Sequence, residues 1–399
     1  MTVLSPPARH LETLALHGGS FRADPTTGSV APPIHLTTSF QFRDTEHARR
    51  LFGLEEVGYT YTRTINPSRE VLERRLAALE GGVAALAVAS GTAATLYALL
   101  SLAATGDNLV VSADLATGRN AGLLLTLRRF AIEVRLADPT DPAAFARASD
   151  DRTRAWFAES LGWPGLRPFP IAAVAALAHE AGIPLLIENS ATPLSLRPLA
   201  LGAAVTIYSA SEFIGGHGVA IGGLIIDGGG FDWEAAGARL PTLNTPDPSY
   251  HGIVWSEVVK QWKASPLIAR ARGGLLRDFG GAISPLIVFQ LIQGLETLPL
   301  RIRHHVAHAE QIAARLAAHP KVSNLQGGIG GLIAFDLPGS AEAARFIDAL
   351  ALLGRSSSFG DARSAVVLPA LAPARIVLSI GLEHLDDIEA DLTQALDRV

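Results

Sequence analysis

The feature that most constrains the fold is an alternation of short apolar segments with longer helical segments between residues 67 and 227. The apolar segments, each predicted to be a strand, read VAALAVAS, NLVVS, IEVRLA, TRAWFAES, IPLLIEN, VTIYSA and GGLIID. Between them lie segments with apolar residues at helical spacing, such as PSREVLERRLAALEGG and PIAAVAALAHEAG. Strands that are apolar on both faces and joined through helices are typical of a mostly parallel sheet covered by helices. The pattern predicts an α/β fold.

Three regions are predicted from the changes in this pattern. Residues 1–60 are rich in turn-forming residues and are expected to form an irregular N-terminal arm. Residues 61–265 form the large α/β domain. Residues 266–399 begin with a long helical pattern and continue as β-α-β-β-α, which predicts a linking helix and a smaller C-terminal α+β domain. A chain of 399 residues suits one large and one small domain.

Composition excludes several classes of function. The net charge is −5 and no basic run is interleaved with aromatic residues, which argues against nucleic acid as a partner. The chain has no cysteine, so disulfides, thiolate metal sites and cysteine nucleophiles are excluded, and we expect no metal site. No apolar stretch reaches the roughly 18 residues of a membrane span. We therefore expect a cytoplasmic protein that binds a small molecule.

Lysine is scarce in this sequence. It occurs at Lys260, Lys263 and Lys321, and nearly all other basic residues are arginines. A Schiff base between an enzyme and a carbonyl cofactor requires a lysine amine. Any chemistry of that kind has three candidate residues.

Several ordered blocks of the sequence resemble one enzyme family. They read YTRTINPS, LEGGVAALAVASGTAA, AHEAGIPLLIEN, FIGGHGVAIGGLIIDGGGFDW, SPLIVFQLIQGLETLPLR and RIVLSIGLEHLDDI. From about residue 14 to the end, the chain is similar to the pyridoxal-phosphate (PLP) enzymes of cysteine and methionine metabolism. The group includes cystathionine γ-synthase and, nearest here, O-acetylhomoserine sulfhydrylase. The resemblance implies the fold-type-I PLP-transferase architecture and an oligomer built from active dimers.

The phosphate end of the family's pocket is retained in this sequence. The segment with Ser90, Gly91 and Thr92 falls between a predicted strand and a predicted helix, where a glycine and free backbone N–H groups can bind an anion. The resemblance implies that Ser209 and Ser211 add hydroxyl donors to the same phosphate. We therefore predict an anion site at these five residues.

Three further residues match binding positions of the family. The resemblance implies that Tyr61 and Arg63 reach the phosphate in the pocket of a neighbouring subunit, within a homodimer or homotetramer. It also implies that Arg375 binds the carboxylate of the substrate. The planar guanidinium group suits both phosphate and carboxylate because its donors form a fork.

The centre of the pocket departs from the family. Glu212 stands where the family has its Schiff-base lysine, and a carboxylate cannot form a Schiff base. Glu188 replaces the aspartate beside the pyridine nitrogen of PLP. Ala116 stands in place of the tyrosine that stacks on the ring, and Trp163 in place of an asparagine that bonds the phenolic oxygen. The chain is thus read as a diverged member without the Schiff-base lysine.

These departures lead to a first hypothesis of a PLP-independent acid–base enzyme. Glu212, Glu188 and Glu159 are its expected catalytic residues, because clustered carboxylates raise one another's pKa. Trp163 and Ala116 shape the pocket, and Trp163 could stack on a flat ligand. The expected reaction is an elimination, cyclisation, isomerisation or hydrolysis on a small molecule that bears a carboxylate, with or without a phosphate.

Two alternatives remain open at this point. The chain could be a non-catalytic paralogue that binds a ligand or assembles with an active relative. It could also be an enzyme of sulfur amino-acid metabolism that holds PLP or pyridoxamine phosphate non-covalently, with Glu212 as the base. In every case we expect no covalent cofactor, whereas PLP or another phosphate-bearing ligand can bind non-covalently.

Overall fold

The centre of the fold is a twisted sheet in the large domain. The computed structural model describes residues 9–19, 21–118, 120–367, 372 and 374–399. The strands of the large domain are β1 (Ala84–Val88), β2 (Asn108–Ser112), β3 (Glu133–Ala137), β4 (Thr153–Glu159), β5 (Leu161–Gly162), β6 (Arg167–Pro168), β7 (Leu185–Glu188), β8 (Val205–Ser209) and β9 (Gly223–Asp227). Within the described residues, seven of them form one sheet in the order β1-β9-β8-β7-β4-β2-β3. Only β9 runs antiparallel to its neighbours in this sheet, so the predicted mostly parallel sheet is confirmed.

Helices cover both faces of this sheet. The helices of the chain are α1 (Leu11–His17), α2 (Thr45–Phe52), α3 (Pro67–Glu80), α4 (Gly91–Leu100), α5 (Ala121–Arg129), α6 (Ala143–Arg147), α7 (Ile171–Glu180), α8 (Pro241–Asn244), α9 (Trp255–Val258), α10 (Pro266–Arg270), α11 (Arg277–Phe279), α12 (Pro285–Ala317), α13 (Ser340–Ala349) and α14 (Leu385–Leu396). Within β4, Phe157 packs into one apolar core and its neighbours Trp156 and Ala158 pack into another. Successive side chains of a strand point to opposite faces, so the continuous apolar runs bury both faces.

The start of α3 shows how local sequence fixes an element beside the site. Asn66 is the N-cap and its side chain accepts a hydrogen bond from the backbone N–H of Ser68. Pro67 occupies the first helical turn, where its missing N–H is not needed. The helix ends at Gly81, which adopts a left-handed conformation with φ of 78°. The paired glycines that follow this helical segment in the sequence thus provide its C-cap.

The N-terminal arm is more ordered than its turn-rich sequence predicts. It contains α1 and α2, and the carboxylate of Asp44 caps α2 by accepting from the backbone N–H of His47. Leu11 and Leu14 of α1 pack against the core formed by α3 and α12. The expectation of an irregular arm is therefore wrong for these two segments, because short helices form when their apolar residues find a partner surface. Residues 1–8 and Ser20 of the arm lie outside the described residues.

The C-terminal domain is a second, smaller sheet that carries helices. Its strands are β10 (Ser323–Gly327), β11 (Leu332–Asp336), β12 (Gly354–Ser356), β13 (Ala365–Val367) and β14 (Arg375–Ser379). In the described part of this domain they form a sheet in the order β10-β11-β14-β13-β12. The long helix α12, with 33 residues, connects it to the large domain. Among the described residues, no helix combines the length and the apolar character needed to cross a membrane.

Candidate active site

Three neighbouring parallel strands end together at one edge of the large sheet. β8, β7 and β4 end at Ser209, Glu188 and Glu159, which we call the strand-end residues. The register pairs Glu159 with Glu188, and Glu188 with Ile207 of β8. In open α/β sheets, ligands bind in the crevice outside the carboxyl ends of the strands. The structure thus brings together three of the residues that the sequence singles out.

Helix α4 begins beside β8 with the predicted anion-binding loop. The Oγ of Ser90, its N-cap, accepts a hydrogen bond of 3.1 Å from the backbone N–H of Ala93. A Cβ atom on Gly91 would lie 2.5 Å from the Cβ of Ser209, which is too close for two carbon atoms. Only a glycine therefore lets this loop contact β8. Thr92 follows on the exposed side of the first turn, and the positive end of the helix is available to an anion.

Ser190 connects two of the strand-end residues. Its hydroxyl donates to Oε1 of Glu188, and its Oγ accepts a hydrogen bond of 2.6 Å from the backbone N–H of Ser209. Ser190 is buried and lies two residues after the end of β7. Ser190 was not predicted, although a serine two residues after a strand-end glutamate was a usable signal in the sequence. The carboxylate of Glu188 is thereby connected through Ser190 to Ser209, which contacts the loop at the start of α4.

Glu159 is held by a second residue that the sequence analysis missed. The side-chain amide of Asn120 donates a hydrogen bond of 2.6 Å to Oε1 of Glu159, which is 5% exposed. A Cβ atom on Gly118 would lie 3.5 Å from Oε2 of Glu159 and 3.7 Å from the Cβ of Trp163. Glu159 and Trp163 therefore meet at this loop. Ala116 lies on the exposed side of the preceding helical turn.

Trp163 is part of an aromatic group that joins the two domains. Its ring stacks on Phe359 of the C-terminal domain, with 6.1 Å between centroids and 21° between planes. Phe359 also lies 5.9 Å from the ring of Phe213, the residue after Glu212. Aromatic pairs in this range add about 0.5–1.5 kcal/mol to the burial of their surface. The tryptophan that was expected to stack on a ligand is thus also a contact between domains.

The turn that carries Glu212 is fixed by a buried arginine. Glu212 is 9% exposed and its carbonyl accepts a hydrogen bond of 2.7 Å from the N–H of Gly216. Arg301 of α12 donates from Nη1 to the carbonyl of Phe213 at 2.7 Å and from Nη2 to the carbonyl of Ile214 at 3.2 Å. Burial lowers the pKa of Arg301 to about 10, which leaves it charged at neutral pH. These bonds hold the turn in one conformation.

Ser211 lies in the same turn, next to Glu212. Its Oγ accepts a hydrogen bond of 3.2 Å from the backbone N–H of Gly222, and the residue is partly exposed. An accepting hydroxyl oxygen keeps its own hydrogen for another acceptor. Ser211 can therefore donate to an anion.

The structure does not bring Tyr61 and Arg63 to the strand-end residues within one chain. Both are exposed, and the guanidinium of Arg63 lies 5.5 Å from the centre of the Tyr61 ring. They line a separate cavity of about 850 Å³ between the N-terminal arm and the large domain. Neither Ser209 nor Glu212 lines that cavity.

Arg375 already has an acidic partner in this structure. Its Nη1 donates to Oδ1 of Asp336 at 2.9 Å and to the carbonyl of Asn324 at 2.9 Å. Its Nη2 donates to the carbonyl of Gly165 at 3.2 Å, in the loop that follows Trp163. A substrate carboxylate at Arg375 would therefore compete with Asp336.

The three lysines all lie in the described part of the chain, away from the strand ends. Lys260 forms ion pairs with Glu234 at 2.8 Å and Glu257 at 2.9 Å. Lys321 donates to the C-terminal carbonyl of Val399 at 2.8 Å, and Lys263 lies in an exposed turn. Among the described residues there is also no group of three or more histidine, aspartate or glutamate side chains arranged to hold a metal.

The residues at the strand ends fit PLP by the chemistry of their donors. The start of α4, which contacts the end of β8 at Gly91, and the hydroxyls of Ser209 and Ser211 suit a phosphate. A buried carboxylate such as Glu188 suits a protonated pyridine nitrogen. Both ends of the cofactor thus have matching groups.

Comparisons with known proteins identify relatives over nearly the whole chain. A family profile described as Cys/Met metabolism PLP-dependent enzyme matches residues 12–326. An O-acetyl-L-homoserine sulfhydrylase of Leptospira meyeri is 42% identical over an alignment 432 residues long, which covers 97% of this chain and 97% of that protein. A homocysteine synthase of Schizosaccharomyces pombe is 38% identical, with 98% of this chain and 99% of that protein covered.

A solved structure has the same fold. It is a candidate O-acetylhomoserine (thiol)-lyase of Campylobacter jejuni that contains a pyridoxyl-lysine phosphate. The TM-score is 0.90 at 34% sequence identity, with 98% of this chain and 100% of that chain covered. The expected fold-type-I PLP-transferase architecture is confirmed.

The expected function is wrong in its main point. A PLP-independent enzyme was expected from Glu212, with a non-catalytic paralogue as an alternative. Relatives with 42% and 38% identity over nearly the full chain are a sulfhydrylase and a homocysteine synthase, which points to an active PLP enzyme. The local departures were given more weight than the similarity of the whole chain. The chain belongs to the Cys/Met metabolism family of PLP-dependent enzymes.

Proposed function

We propose that this chain is an O-acetylhomoserine sulfhydrylase-type PLP enzyme that holds its cofactor non-covalently. The observation that carries the proposal is the contact between Gly91 and Ser209, which sets the start of α4 beside the end of β8. The relatives support the reaction, since those named above are a sulfhydrylase and a homocysteine synthase. The Glu212 carboxylate supports non-covalent binding, because it cannot form a Schiff base.

The chain's own residues supply both ends of the cofactor site. Ser90, Gly91 and Thr92 at the start of α4, together with Ser209 and Ser211, would hold the phosphate. Glu188, kept in place by Ser190, would pair with the pyridine nitrogen. PLP, when bound, supplies an electron sink for the α-carbon of an amino acid.

Proton transfer is assigned to the carboxylates. Glu212 lies in a turn that Arg301 holds rigid, so its carboxylate can take and return a proton at one position. Glu159, oriented by Asn120, is a second candidate for this role. Trp163 and Phe359 exclude water from one side of the site. Arg375 would bind the substrate carboxylate in exchange for Asp336.

The overall reaction is redox-neutral. The bond between the γ-carbon of O-acetylhomoserine and its ester oxygen breaks, and acetate leaves with the electron pair. Sulfide forms a bond to the same carbon and gives up a proton, so the products are homocysteine and acetic acid. Oxidants, reductants and further co-reactants are not required.

We also propose that the site is completed in a homodimer or homotetramer in the cytoplasm. Tyr61 and Arg63 are exposed at the start of the large domain, directly after the arm, where a second copy of the chain can meet them. Their cationic and hydroxyl groups suit a phosphate. The enzyme would then contain the anion site in two parts, one from each chain.

The mode of cofactor binding is tested by intact mass. The protein is incubated with PLP, reduced with borohydride, denatured and weighed. We expect no retained pyridoxyl group, together with saturable PLP binding that dialysis reverses. A pyridoxyl group on any of the three lysines would overturn non-covalent binding, and an absence of saturable PLP binding would overturn the proposed function.

A further inference from the structure

A chain of buried polar side chains lies directly behind the candidate site. Its members are Glu80, Tyr208, Asn189, Thr192 and Ser160, which we call the Glu80–Ser160 network. All five are 2% exposed or less. They come from four separate segments of the chain, and the sequence analysis singled out none of them.

The hydrogen bonds of the network have one direction. The hydroxyl of Tyr208 donates to Oε1 of Glu80 at 2.9 Å, and the amide of Asn189 donates to the Tyr208 oxygen at 2.9 Å. Thr192 donates to Oδ1 of Asn189 at 2.6 Å. The Thr192 hydroxyl has one hydrogen, so the 2.9 Å contact with Ser160 must be donated by Ser160. Every donor therefore points towards Glu80, which ends the network as an acceptor.

Each strand-end residue has its chain neighbour in this network. Tyr208 precedes Ser209, Asn189 follows Glu188, and Ser160 follows Glu159. Backbone bonds extend the same connection: the N–H of Asn189 donates to the carbonyl of Ile207 at 2.8 Å, and the N–H of Ser160 donates to the carbonyl of Glu188 at 2.8 Å. The network thus connects the three strands at the point where the sheet ends.

The network is sensitive to the loss of any member. A buried polar group that loses its partner costs about 1–3 kcal/mol, and linked bonds reinforce one another. Removal of the Tyr208 hydroxyl would take an acceptor from the Asn189 amide and a donor from the Glu80 carboxylate. Both would relax towards other partners, and the strand ends would shift with them.

We propose that Tyr208 and Asn189 are positioning residues that set the spacing of the strand-end residues. They act through the backbone of their neighbours and do not touch the ligand. The inference rests on the proposed function for the identity of the ligand, but the spacing itself is a property of the chain.

The test compares two buried tyrosines that each lose one hydroxyl. Tyr208→Phe removes the centre of the network. Tyr97→Phe is the matched control, because Tyr97 is also buried and its hydroxyl donates to a carbonyl, that of Gly280, at 3.3 Å. Three properties are measured: melting temperature, PLP dissociation constant, and amide hydrogen exchange over residues 185–192 and 205–212.

We expect Tyr208→Phe to weaken PLP binding at least fivefold and to accelerate exchange in both segments at least tenfold. Tyr97→Phe should change the PLP dissociation constant and the exchange rates by less than twofold, even if its melting temperature falls as much as that of Tyr208→Phe. Equal exchange and equal PLP affinity in the two variants would overturn the proposal. If Tyr208→Phe does not fold, Thr192→Val removes a hydroxyl within the network at nearly constant volume, and the same outcomes apply.

The outcomes separate this inference from the proposed function. A wild-type protein that binds PLP but forms no homocysteine contradicts the function and leaves the positioning role intact. If the wild type binds no PLP, the exchange measurement alone decides, since it needs no ligand. Unchanged exchange in Tyr208→Phe then refutes the positioning role by itself.

Discussion

The backbone of Gly91 lies against Ser209 so closely that a Cβ atom on Gly91 would come within 2.5 Å of the Ser209 Cβ and 2.8 Å of its Cα. The loop at the start of α4 therefore meets the end of β8 without space for any side chain. We propose that this contact forms the phosphate-binding end of the site. The contact depends on a glycine, Gly91, which the sequence already places at the start of a predicted helix.

Gly91→Ala should weaken PLP binding strongly. The added methyl group would force the loop away from β8, and the helix start would no longer meet the hydroxyl of Ser209. We expect a PLP dissociation constant at least 100-fold higher, measured by equilibrium dialysis. Gly122→Ala in α5 is the control, because a Cβ there meets nothing within 4 Å. It should bind PLP like the wild type and gain up to about 1 kcal/mol of stability. Equal PLP affinity in the two variants would refute the assigned anion site.

Glu212→Gln should lower the turnover number by at least 100-fold and leave the KM for O-acetylhomoserine within threefold. The amide keeps the size of the side chain but cannot act as a base, and general-base catalysis contributes about 10²–10⁴ in rate. Steady-state kinetics with saturating PLP measures the effect. Glu180→Gln, at the exposed end of α7, is the control and should have no effect. Full activity of Glu212→Gln would remove Glu212 from the mechanism.

Glu80 should make the protein less stable as the pH rises. Burial raises the pKa of Glu80 from its usual 4.5 to about 7, against the bond from Tyr208 and the charge of Arg197. Between these values the folded chain keeps a proton that the unfolded chain releases, so stability falls with increasing pH, by about 3 kcal/mol in total. Glu80→Gln removes this titration, and its amide oxygen can still accept from Tyr208.

His305 acts in the opposite direction and must be separated from Glu80. Burial lowers the pKa of His305 from 6.5 to about 4, so the unfolded chain takes up the proton first and stability rises with pH over that window. Because His305 is present in both proteins, its contribution cancels in the difference in unfolding free energy between wild type and Glu80→Gln. Urea unfolding at pH 5 and pH 8 measures it. A difference that stays constant with pH would contradict the assignment to Glu80.

The fold was predictable because its signals are local and repeated. Continuous apolar runs such as that of β4 predict buried parallel strands, and this prediction is confirmed. The strands β10 and β12 were missed, because SNLQG and GRS have no apolar pattern and are set by pairing with β11 and β13. The segment SAVVLPA, residues 364–370, falls in the predicted C-terminal α+β domain, and its part after Val367 lies outside the described residues.

The site was predictable only in part, because its contacts depend on register. The resemblance implies that Glu188 and Ser209 belong to one pocket, and the two residues stand at the ends of the neighbouring parallel strands β7 and β8. Ser190, which joins them, was not found, since its role requires a bond from the backbone of the neighbouring strand β8 as well as its local bond to Glu188. The function was wrongly expected because the departures at the centre of the pocket, at Glu212, Glu188, Ala116 and Trp163, were given more weight than the similarity of the whole chain to active PLP enzymes.

Homocysteine formation tests the central claim most directly. The dialysed protein is given O-acetylhomoserine and sulfide, with and without added PLP, and homocysteine and acetate are quantified over time. We predict many equivalents of both products per chain, in a 1:1 ratio, with PLP present and none without it. PLP that binds saturably while no homocysteine forms, or homocysteine formation that is independent of PLP, would contradict the account.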